Sequence, residues 1–349
     1  MSKPTLQDVA SRAGVSMATV DRVLHARDGV SERARRNVAE AVRALGFGRL
    51  DGIEVGKVRD SMRFAFLLPE HDTGSGFTKA MHAAVEHSPA AVMDVDVLPQ
   101  VHELPVGDGQ AVAAALDALD PREVDGAAVF AVDTPGVRQA INAAVDRGIP
   151  VVTLVTDIQG SRRQRYVGVD NLSAGRVAGT LLGRFAGERQ GPVALVTGPR
   201  RQRDQLERQL GFEQVIEERF AGLKVLPVVQ GDARGDVNRK LAIKLLERHE
   251  DLVGIYSLAA GNASLLEGLS DGMAASGAER RQPLFIAHEL SPAMRAGLLD
   301  GRVDAILAQS IDHIARSAVR VLRACSTNAN IIDSQERIRI DVYFADNLP

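Results

Sequence analysis

Six polar side chains stand at or just beyond the ends of apolar, β-rich runs. Asp133 follows Gly126–Val132, Asp157 follows Val151–Thr156 and Asn262 follows Gly254–Ala260. His288 and Glu289 follow Leu284–Ala287, and Gln309 follows Ala305–Ala308. Carboxylates and amides are planar and can bond two neighbouring hydroxyls at once. Such groups gathered at strand ends are the donor and acceptor set of a site for a small polyol or sugar. Simpler roles compete with this one. Asp133 could only cap the helix that begins Thr-Pro-Gly, and Asp157 could be a solvated loop acid. Gln309 could make a hinge hydrogen bond, and His288-Glu289 could sit at a hinge between lobes. The chain has no Trp, so Phe and Tyr are its only stacking platforms.

Catalytic patterns are scarce. His288-Glu289-Leu290-Ser291-Pro292 is not His-Glu-x-x-His, so no zincin site and no bound metal are expected. Asp94 and Asp96 alternate along a predicted strand with no His or Cys beside them. Gly74-Ser75-Gly76 lacks the remainder of a dinucleotide-binding turn, and there is no Walker loop. Neither an enzyme nor a cofactor is expected.

A second kind of chemistry lies in residues 5–24. Thr5 is a good N-cap, and Asp8 three residues on completes a capping-box-like start. Leu6, Val9, Ala10 and Ala13 fall on one helical face. Gly14 sits where a left-handed residue ends the helix. Ser16 then caps a second helix with Thr19 at its third position, and Val20, Val23 and Leu24 face inward. A third helix begins at Ser31, carries Val38, Val42 and Leu45, and stops at Gly46. Three helices in about 47 residues, with a tight turn between the first two, is the size of a helix-turn-helix headpiece. The second helix exposes Ser16, Met17, Ala18, Thr19, Asp21 and Arg22. Arg22 suits a guanine edge, Ser16 and Thr19 suit phosphate oxygens, and Met17 and Ala18 suit thymine methyls. The plainer alternative is a three-helix cap packed on another domain.

Charge partition favours the nucleic-acid reading. Residues 1–50 hold nine Lys/Arg against five Asp/Glu, a net of +4, while the whole chain is −3, leaving −7 for residues 51–349. A basic head on an acidic body suits phosphate contact at one end. The modest +4 calls for two heads acting together. No run approaches 18 apolar residues, so no membrane span is expected. Met-Ser-Lys-Pro-Thr lacks the apolar stretch of a secretory signal. Cys325 is the only cysteine, which suits a reducing cytoplasm.

From Phe64 onward, strands and helices alternate. Strands are predicted at 64–68, 92–98, 126–131, 151–155, 193–197, 225–229, 254–258, 284–287 and 304–308. Helices are predicted near 77–87, 109–119, 135–147, 172–186, 202–219, 236–248, 263–276, 291–299 and 312–325, with a further β-rich run at Ile338–Phe344. Continuous apolar strands between amphipathic helices mean parallel sheets covered on both faces. Two such units leave a crevice at the carboxyl ends of their strands.

The run Thr5–Phe47, with Asp8-Val9-Ala10, Ala13-Gly14-Val15-Ser16, Thr19-Val20, Arg22-Val23-Leu24, Gly29-Val30-Ser31 and Leu45-Gly46-Phe47, resembles the headpiece of the LacI/GalR family of bacterial repressors. Asp21 stands where the family usually has Ser, and His25 where it usually has Asn. Gly48–Arg63 has three glycines, no proline and no Ala-x-x-Leu, so it departs from the family's hinge helix and is expected to be a linker. The body resembles the family's periplasmic-binding-protein-like effector domain, nearer the ribose-binding branch. The residues carrying this likeness are Asp133-Thr134-Pro135-Gly136-Val137, Gly148–Val152, Tyr166–Asn171 with Ala174-Gly175, Arg208 with Gly211-Phe212, and Gln309.

The resemblance implies an all-α helix-turn-helix headpiece joined to an α/β body of two doubly wound parallel-sheet lobes. Headpiece 1–47 and linker 48–62 would precede body 63–349. Lobe 1 would hold about 63–168 and 309–327, and lobe 2 about 169–308 and 328–346, with crossings near 168, 290 and 325–330. It implies DNA contact by Thr5, Ser16, Met17, Ala18, Thr19, Arg22 and His25. It implies effector contact by Phe77 as the aromatic cap and Arg208 as the ligand-contacting arginine, beside Asp133, Asp157, Asn262, His288, Glu289 and Gln309. The alternatives are core packing for Phe77 and a solvated charged face for Arg208. The expected protein is a sequence-specific transcriptional regulator, a repressor controlled by a sugar-like effector, and cytoplasmic. Its expected partners are a pseudo-palindromic duplex operator and a second copy of itself. Tetrameric relatives carry a leucine-heptad tail, whereas this chain stops at Pro349, so a dimer is expected. The rival reading is a solute-binding protein for carbohydrate transport.

Overall fold

The computed structural model describes residues 5–24, 27, 29–45, 61–71, 76–87, 96–198, 202–232, 236–258, 260–276, 280–327 and 329–349. The chain forms two compact units, Met1–Met62 and Arg63–Pro349.

The small unit has three helices, α1 (Leu6–Ala13), α2 (Met17–Leu24) and α3 (Glu32–Leu45). Its start is reciprocal capping. Asp8 Oδ2 accepts from the backbone N–H and the hydroxyl of Thr5, each at 2.7 Å, and Thr5 Oγ1 accepts from Asp8 N. Gly14 ends α1 at φ +65°. Ser16 Oγ accepts from Thr19 N at 3.1 Å and starts α2. Ser31 Oγ caps α3 by accepting from Ala34 N, so the third helix begins one residue later than predicted. Val9, Ala10, Ala13, Val20, Val38 and Ala41 form the core. So few apolar groups leave caps, at about 1 kcal/mol each, a large share of this unit's stability. Gly46 and residues 48–60 of the predicted linker 48–62 lie outside the described residues, while Ser61 and Met62, predicted as its end, already belong to the strand Ser61–Pro69.

The large unit opens with β1 (Ser61–Pro69), α4 (Phe77–His87), β2 (Asp96–Leu104), α5 (Gly109–Asp117), β3 (Gly126–Val129), α6 (Pro135–Asp146), β4 (Val151–Leu154) and β5 (Arg165–Val167). These strands form a sheet in the order β2-β1-β3-β4-β5. Then follow α7 (Asn171–Ala186), β6 (Gly191–Thr197), α8 (Arg203–Arg219), β7 (Leu223–Val225), β8 (Val229–Gln230), α9 (Val237–Arg248), β9 (Gly254–Ser257), α10 (Asn262–Ala275), β10 (Leu284–His288), α11 (Pro292–Leu299) and β11 (Ala305–Gln309). The chain closes with α12 (Ile311–Thr327), α13 (Asp333–Glu336) and β12 (Ile340–Tyr343). The second sheet runs β12-β11-β10-β9-β6-β7, with β8 also on β6; only the β11–β12 pairing is antiparallel. Strands such as β3, β4 and β9 are buried along their whole length, as sheets covered on both faces require.

Four expectations need correction. Of the strand predicted at 92–98, residues 92–95 lie outside the described residues, and the rest opens Asp96–Leu104, which runs on to Leu104 through Pro99 and the polar Gln100, His102 and Glu103; it is the edge strand of its sheet, where both are tolerated. The strand predicted at 225–229 splits into β7 and β8 around Pro227, which cannot donate to a ladder. The three-residue β5, two of whose side chains are charged or phenolic, carries no apolar run and was not anticipated. The second crossing lies near Ser310 and not near 290. Ser291 caps α11 at Pro292, α11 packs on α10, and β10, α11 and β11 all stay with the second sheet. Only then does α12 pass to β3, β4 and β5, before β12 returns to β11.

One close approach sets the stage for the site. A Cβ on Gly175 of α7 would lie 2.0 Å from the Arg208 carbonyl oxygen, and one on Gly211 of α8 would lie 2.1 Å from that of Leu172. Glycine at both positions lets α7 and α8 touch backbone to backbone, which fixes where Arg208 stands.

Candidate effector site and DNA-reading helix

On α2 the side chains of Ser16, Met17, Ala18 and Arg22 are exposed, while Val20 is fully buried. One face of the helix holds the core and the other is presented outward. Thr19 is half-buried and its hydroxyl lies 2.9 Å from Ser16 Oγ, so both serve the cap as well as any outside partner. Thr5 is committed to its capping box with Asp8. Asp21 pairs with Arg27 at 3.3 Å, so an acid on this helix does not stand against phosphate unneutralised. His25 lies outside the described residues.

In the large unit, Arg208 lies buried on α8. Its Nε donates to Asn171 Oδ1 (2.9 Å), its Nη1 donates to the Leu258 carbonyl (3.0 Å), and its Nη2 stands 3.7 Å from Asp204 Oδ2. Asp204 Oδ1 in turn accepts from Thr156 Oγ1, beyond the end of β4, at 3.3 Å. Asn171 Nδ2 donates to the Tyr166 hydroxyl, which lies 2.7 Å from the Val155 carbonyl. A continuous polar chain therefore crosses from the end of β4 to α8 and α7.

Arg208, His288, Glu289 and Gln309 line one narrow cleft with Val169 and Ile340, too tight to admit a water molecule. His288 Nε2 stands 2.7 Å from the hydroxyl of Tyr256, which stacks on Phe212. Asn262 Nδ2 donates to the His288 carbonyl at 2.8 Å. Asn262 Oδ1 and Gln309 Oε1 are buried acceptors without a protein partner. An unsatisfied buried acceptor costs about 1–3 kcal/mol, so both favour an incoming hydroxyl.

Backbone strain gathers here too. Among the described residues only Val155 (φ +63°) and Glu289 (φ +71°) hold positive φ without being glycine. They follow β4 and β10, each at a strand end facing this network. Such conformations cost about 1–3 kcal/mol and persist where the surroundings over-determine them.

Burial, helped by the Arg208 cation, drives the His288 pKa well below its ordinary value, so this imidazole is neutral. Burial pushes the Glu289 carboxyl up to about 7, with Arg208 and a hydrogen bond from Gln309 opposing it. The native state then holds a Glu289 proton between about pH 4.5 and 7 that the unfolded chain releases, so this group's contribution to stability falls as pH rises through that window. Replacing Glu289 with Gln removes the term. In thermal melts, the wild type should lose on the order of 1–3 kcal/mol relative to Glu289→Gln between pH 4.5 and 8. His288 acts oppositely in wild type and variant alike and cancels from the difference. A pH-independent difference would place the Glu289 carboxyl in water.

The residues predicted at the ends of the first sheet are engaged differently. Asp133 does not cap α6, since Thr134 Oγ1 accepts from Val137 N. It accepts from Arg138 Nε and Nη2 (3.0 and 2.7 Å) and stands 3.4 Å from Arg203 Nη1 of α8. Asp157 is buried and paired with Arg163 through both oxygens, with Thr153 Oγ1 donating at 3.1 Å. Phe77 is half-buried, edge-on to Phe130 with ring centres 6.3 Å apart. The structure thus joins Arg208, Asn262, His288, Glu289 and Gln309 in one cluster, while Phe77, Asp133 and Asp157 stand at the strand ends of the other sheet. Asn171, Asp204 and Tyr256 belong to the cluster without having been singled out as contacts. Asp204, one helical turn before Arg208, was the readable signal.

Residues 64–329 match the periplasmic binding protein domain family, and residues 5–49 match the lacI family of bacterial regulatory proteins. The chain is 27% identical over 258 residues to the ribose operon repressor of Halalkalibacterium halodurans, covering 72% of this chain and 71% of that protein. Its fold is similar to that of GanP, a glucose-galactose binding protein from Geobacillus stearothermophilus, at TM-score 0.70 and 21% identity over 83% of this chain and all of that one. A putative LacI transcriptional regulator from Bacteroides fragilis matches at TM-score 0.69 and 18% identity, over 82% and 98% of the two chains. With a capped helix-turn-helix unit ahead of a two-sheet α/β body, the chain belongs to the periplasmic binding protein domain family and is a lacI-family bacterial regulatory protein.

Proposed function

We propose that this regulator is a cytoplasmic repressor whose DNA affinity is set by a small sugar, with a pentose such as ribose the first to try. The observation that carries the reading is the cluster of Arg208, Asn262, His288, Glu289 and Gln309, with two buried amide oxygens open to hydroxyl donors. Arg208 would bind ring oxygens or hydroxyls, Asn262 and Gln309 would accept from hydroxyls, and Phe77 would cover the apolar face of the ring. Asp133 and Asp157 would hold the facing strand ends through their arginines. The cleft is too narrow for water, so a sugar enters only when the residues that line it, Val169 beside the crossing near 168 among them, move apart. Sugar binding is thereby coupled to lobe geometry, and couplings of this kind are about 1–3 kcal/mol, or 5- to 150-fold in affinity.

On DNA, two headpieces of a homodimer would read a pseudo-palindromic operator. Arg22 reads a guanine edge, Met17 and Ala18 meet thymine methyls, and Ser16 and Thr19 hold phosphates, with Thr5 and His25 at the flanks. A transport-type solute-binding role has no use for the capped, outward-facing α2. The test is a mobility-shift assay of the full chain on duplex from its own promoter region, at several salt concentrations, with and without a panel of pentoses and hexoses. The expected result is a sequence-selective, salt-sensitive shift that one sugar changes at least fivefold. Absence of any selective shift under all conditions overturns the reading.

A further inference from the structure

Away from this cluster, three side chains of metal-ligating type meet at the edge of the first sheet. His71 follows β1, His82 lies within α4, and Glu103 stands near the end of β2. His71 Nδ1 is 2.8 Å from Glu103 Oε1, and His82 Nδ1 is 3.8 Å from the same oxygen. One donor atom from each residue lies within 4.8 Å of the others. The centres of the two imidazoles lie 4.0 Å apart, with the ring planes tilted by 35°.

The protonation of His82 follows from its surroundings. It is buried, and its Nε2 stands 2.9 Å from the Pro69 carbonyl oxygen. A carbonyl can only accept, so Nε2 carries the proton. In the neutral ring Nδ1 then keeps a free lone pair, aimed at Glu103 and His71. A carbonyl holding one ring nitrogen so that the other can ligate is the usual support of a metal-bound histidine. His71 and Glu103 are each nearly half exposed, which leaves an approach from solvent.

The donor set identifies the class of ion. Two imidazoles and one carboxylate suit Zn²⁺ and similar first-row ions, whereas Ca²⁺ and Mg²⁺ prefer oxygen donors throughout. Bonds of about 2.0–2.1 Å in a tetrahedral shell put neighbouring donors roughly 3.3–3.5 Å apart. The separations of 2.8 and 3.8 Å to Glu103 bracket that value, and the two rings must turn apart for both Nδ1 lone pairs to converge on one ion. A fourth position is left for water or an outside ligand. The three residues are too far apart in sequence to form a short spacing motif, which is why no metal was expected from sequence.

We propose that His71, His82 and Glu103 form a three-ligand site for Zn²⁺ or a similar divalent transition ion, tying the segment after β1 to α4 and β2. The test uses the full chain, chelator-stripped and free of any affinity tag. Zn²⁺ is titrated by calorimetry, and Co²⁺ serves as a spectroscopic probe. The expected result is one tight equivalent of Zn²⁺ and the intense visible absorption of tetrahedral Co²⁺. His71→Ala and Glu103→Gln, both at accessible positions, should each weaken binding at least tenfold with unchanged melting of the metal-free protein. His102→Ala, on the same strand as Glu103, should leave binding unchanged. Failure to bind one equivalent, or equal affinity in wild type, His71→Ala and Glu103→Gln, overturns the site and leaves an ordinary His–Glu hydrogen bond. Loss of binding in His102→Ala alone would move the ion elsewhere and equally overturn it.

Discussion

Replacing Arg208 with alanine abolishes the response to sugar while operator binding by the sugar-free protein survives. The guanidinium is buried and engaged with Asn171, the Leu258 carbonyl and Asp204, and N–H donors on Nη1 and Nη2 are left for a sugar. Alanine leaves Asp204 buried without its cation, and breaking a buried pair from one side costs about 3–5 kcal/mol. The variant should therefore melt at a lower temperature, and its folding must be established first. Arg208→Lys separates charge from geometry. Lysine supplies a point charge but not the planar fork that spans Asn171 and Leu258. It should fold better than the alanine variant and still respond at least tenfold more weakly to sugar. The readouts are thermal shift by sugar, which mass action makes proportional to the logarithm of ligand over Kd, and mobility shift on operator. A folded Arg208→Lys that keeps full sugar response, or loses DNA binding instead, would show that effector recognition lies elsewhere.

Much of this arrangement could be read from the chain, and the residues that could not share physical causes. Helix limits follow caps and glycines: Thr5 with Asp8, Gly14 and Ser16 mark ends that propensity alone would blur, whereas α6 is capped by Thr134 and not by the Asp133 that the sequence offered. Buried parallel strands announce themselves as short, largely apolar runs, so β3, β4, β6, β9 and β10 fell close to their predicted places. β2 did not, since an edge strand alternates with polar residues and loses the apolar signal. In the site, polar residues just after apolar runs were visible because strand ends of a parallel sheet face a crevice. Tyr256 was invisible because its hydroxyl sits inside an apolar strand, where only the neighbouring His288 gives it a partner. Asp133 and Asp157 were seen as acids at strand ends. Their arginines, Arg138 and Arg163, come from a helix turn and a loop whose proximity is tertiary. The His71–His82–Glu103 cluster is tertiary in the same sense, assembled from a strand end, a helix and an edge strand.

Replacing Arg22 with alanine removes operator discrimination and leaves sugar binding intact. The residue is exposed on the outward face of α2, opposite the buried Val20, so truncation disturbs no packing. Exposed substitutions of this kind change stability by less than about 0.5 kcal/mol. A bidentate guanine contact is worth about 1–3 kcal/mol of discrimination, and a dimer would lose one in each half-site. Expected, then, is a loss of about 2–6 kcal/mol, or roughly thirtyfold to twenty-thousandfold, in specific affinity, with non-specific binding changed far less. Substituting Ser16 by alanine should act differently. It removes the cap that accepts from Thr19 N, so it weakens binding to all sequences alike and lowers the melting temperature of the headpiece. Competition of operator against scrambled duplex separates the two variants, and sugar-induced thermal shift checks that both bodies still work. If Arg22→Ala weakened specific and non-specific duplex by the same factor, the arginine would be a phosphate contact, and base readout would have to come from Met17, Ala18 and the segment beyond α2.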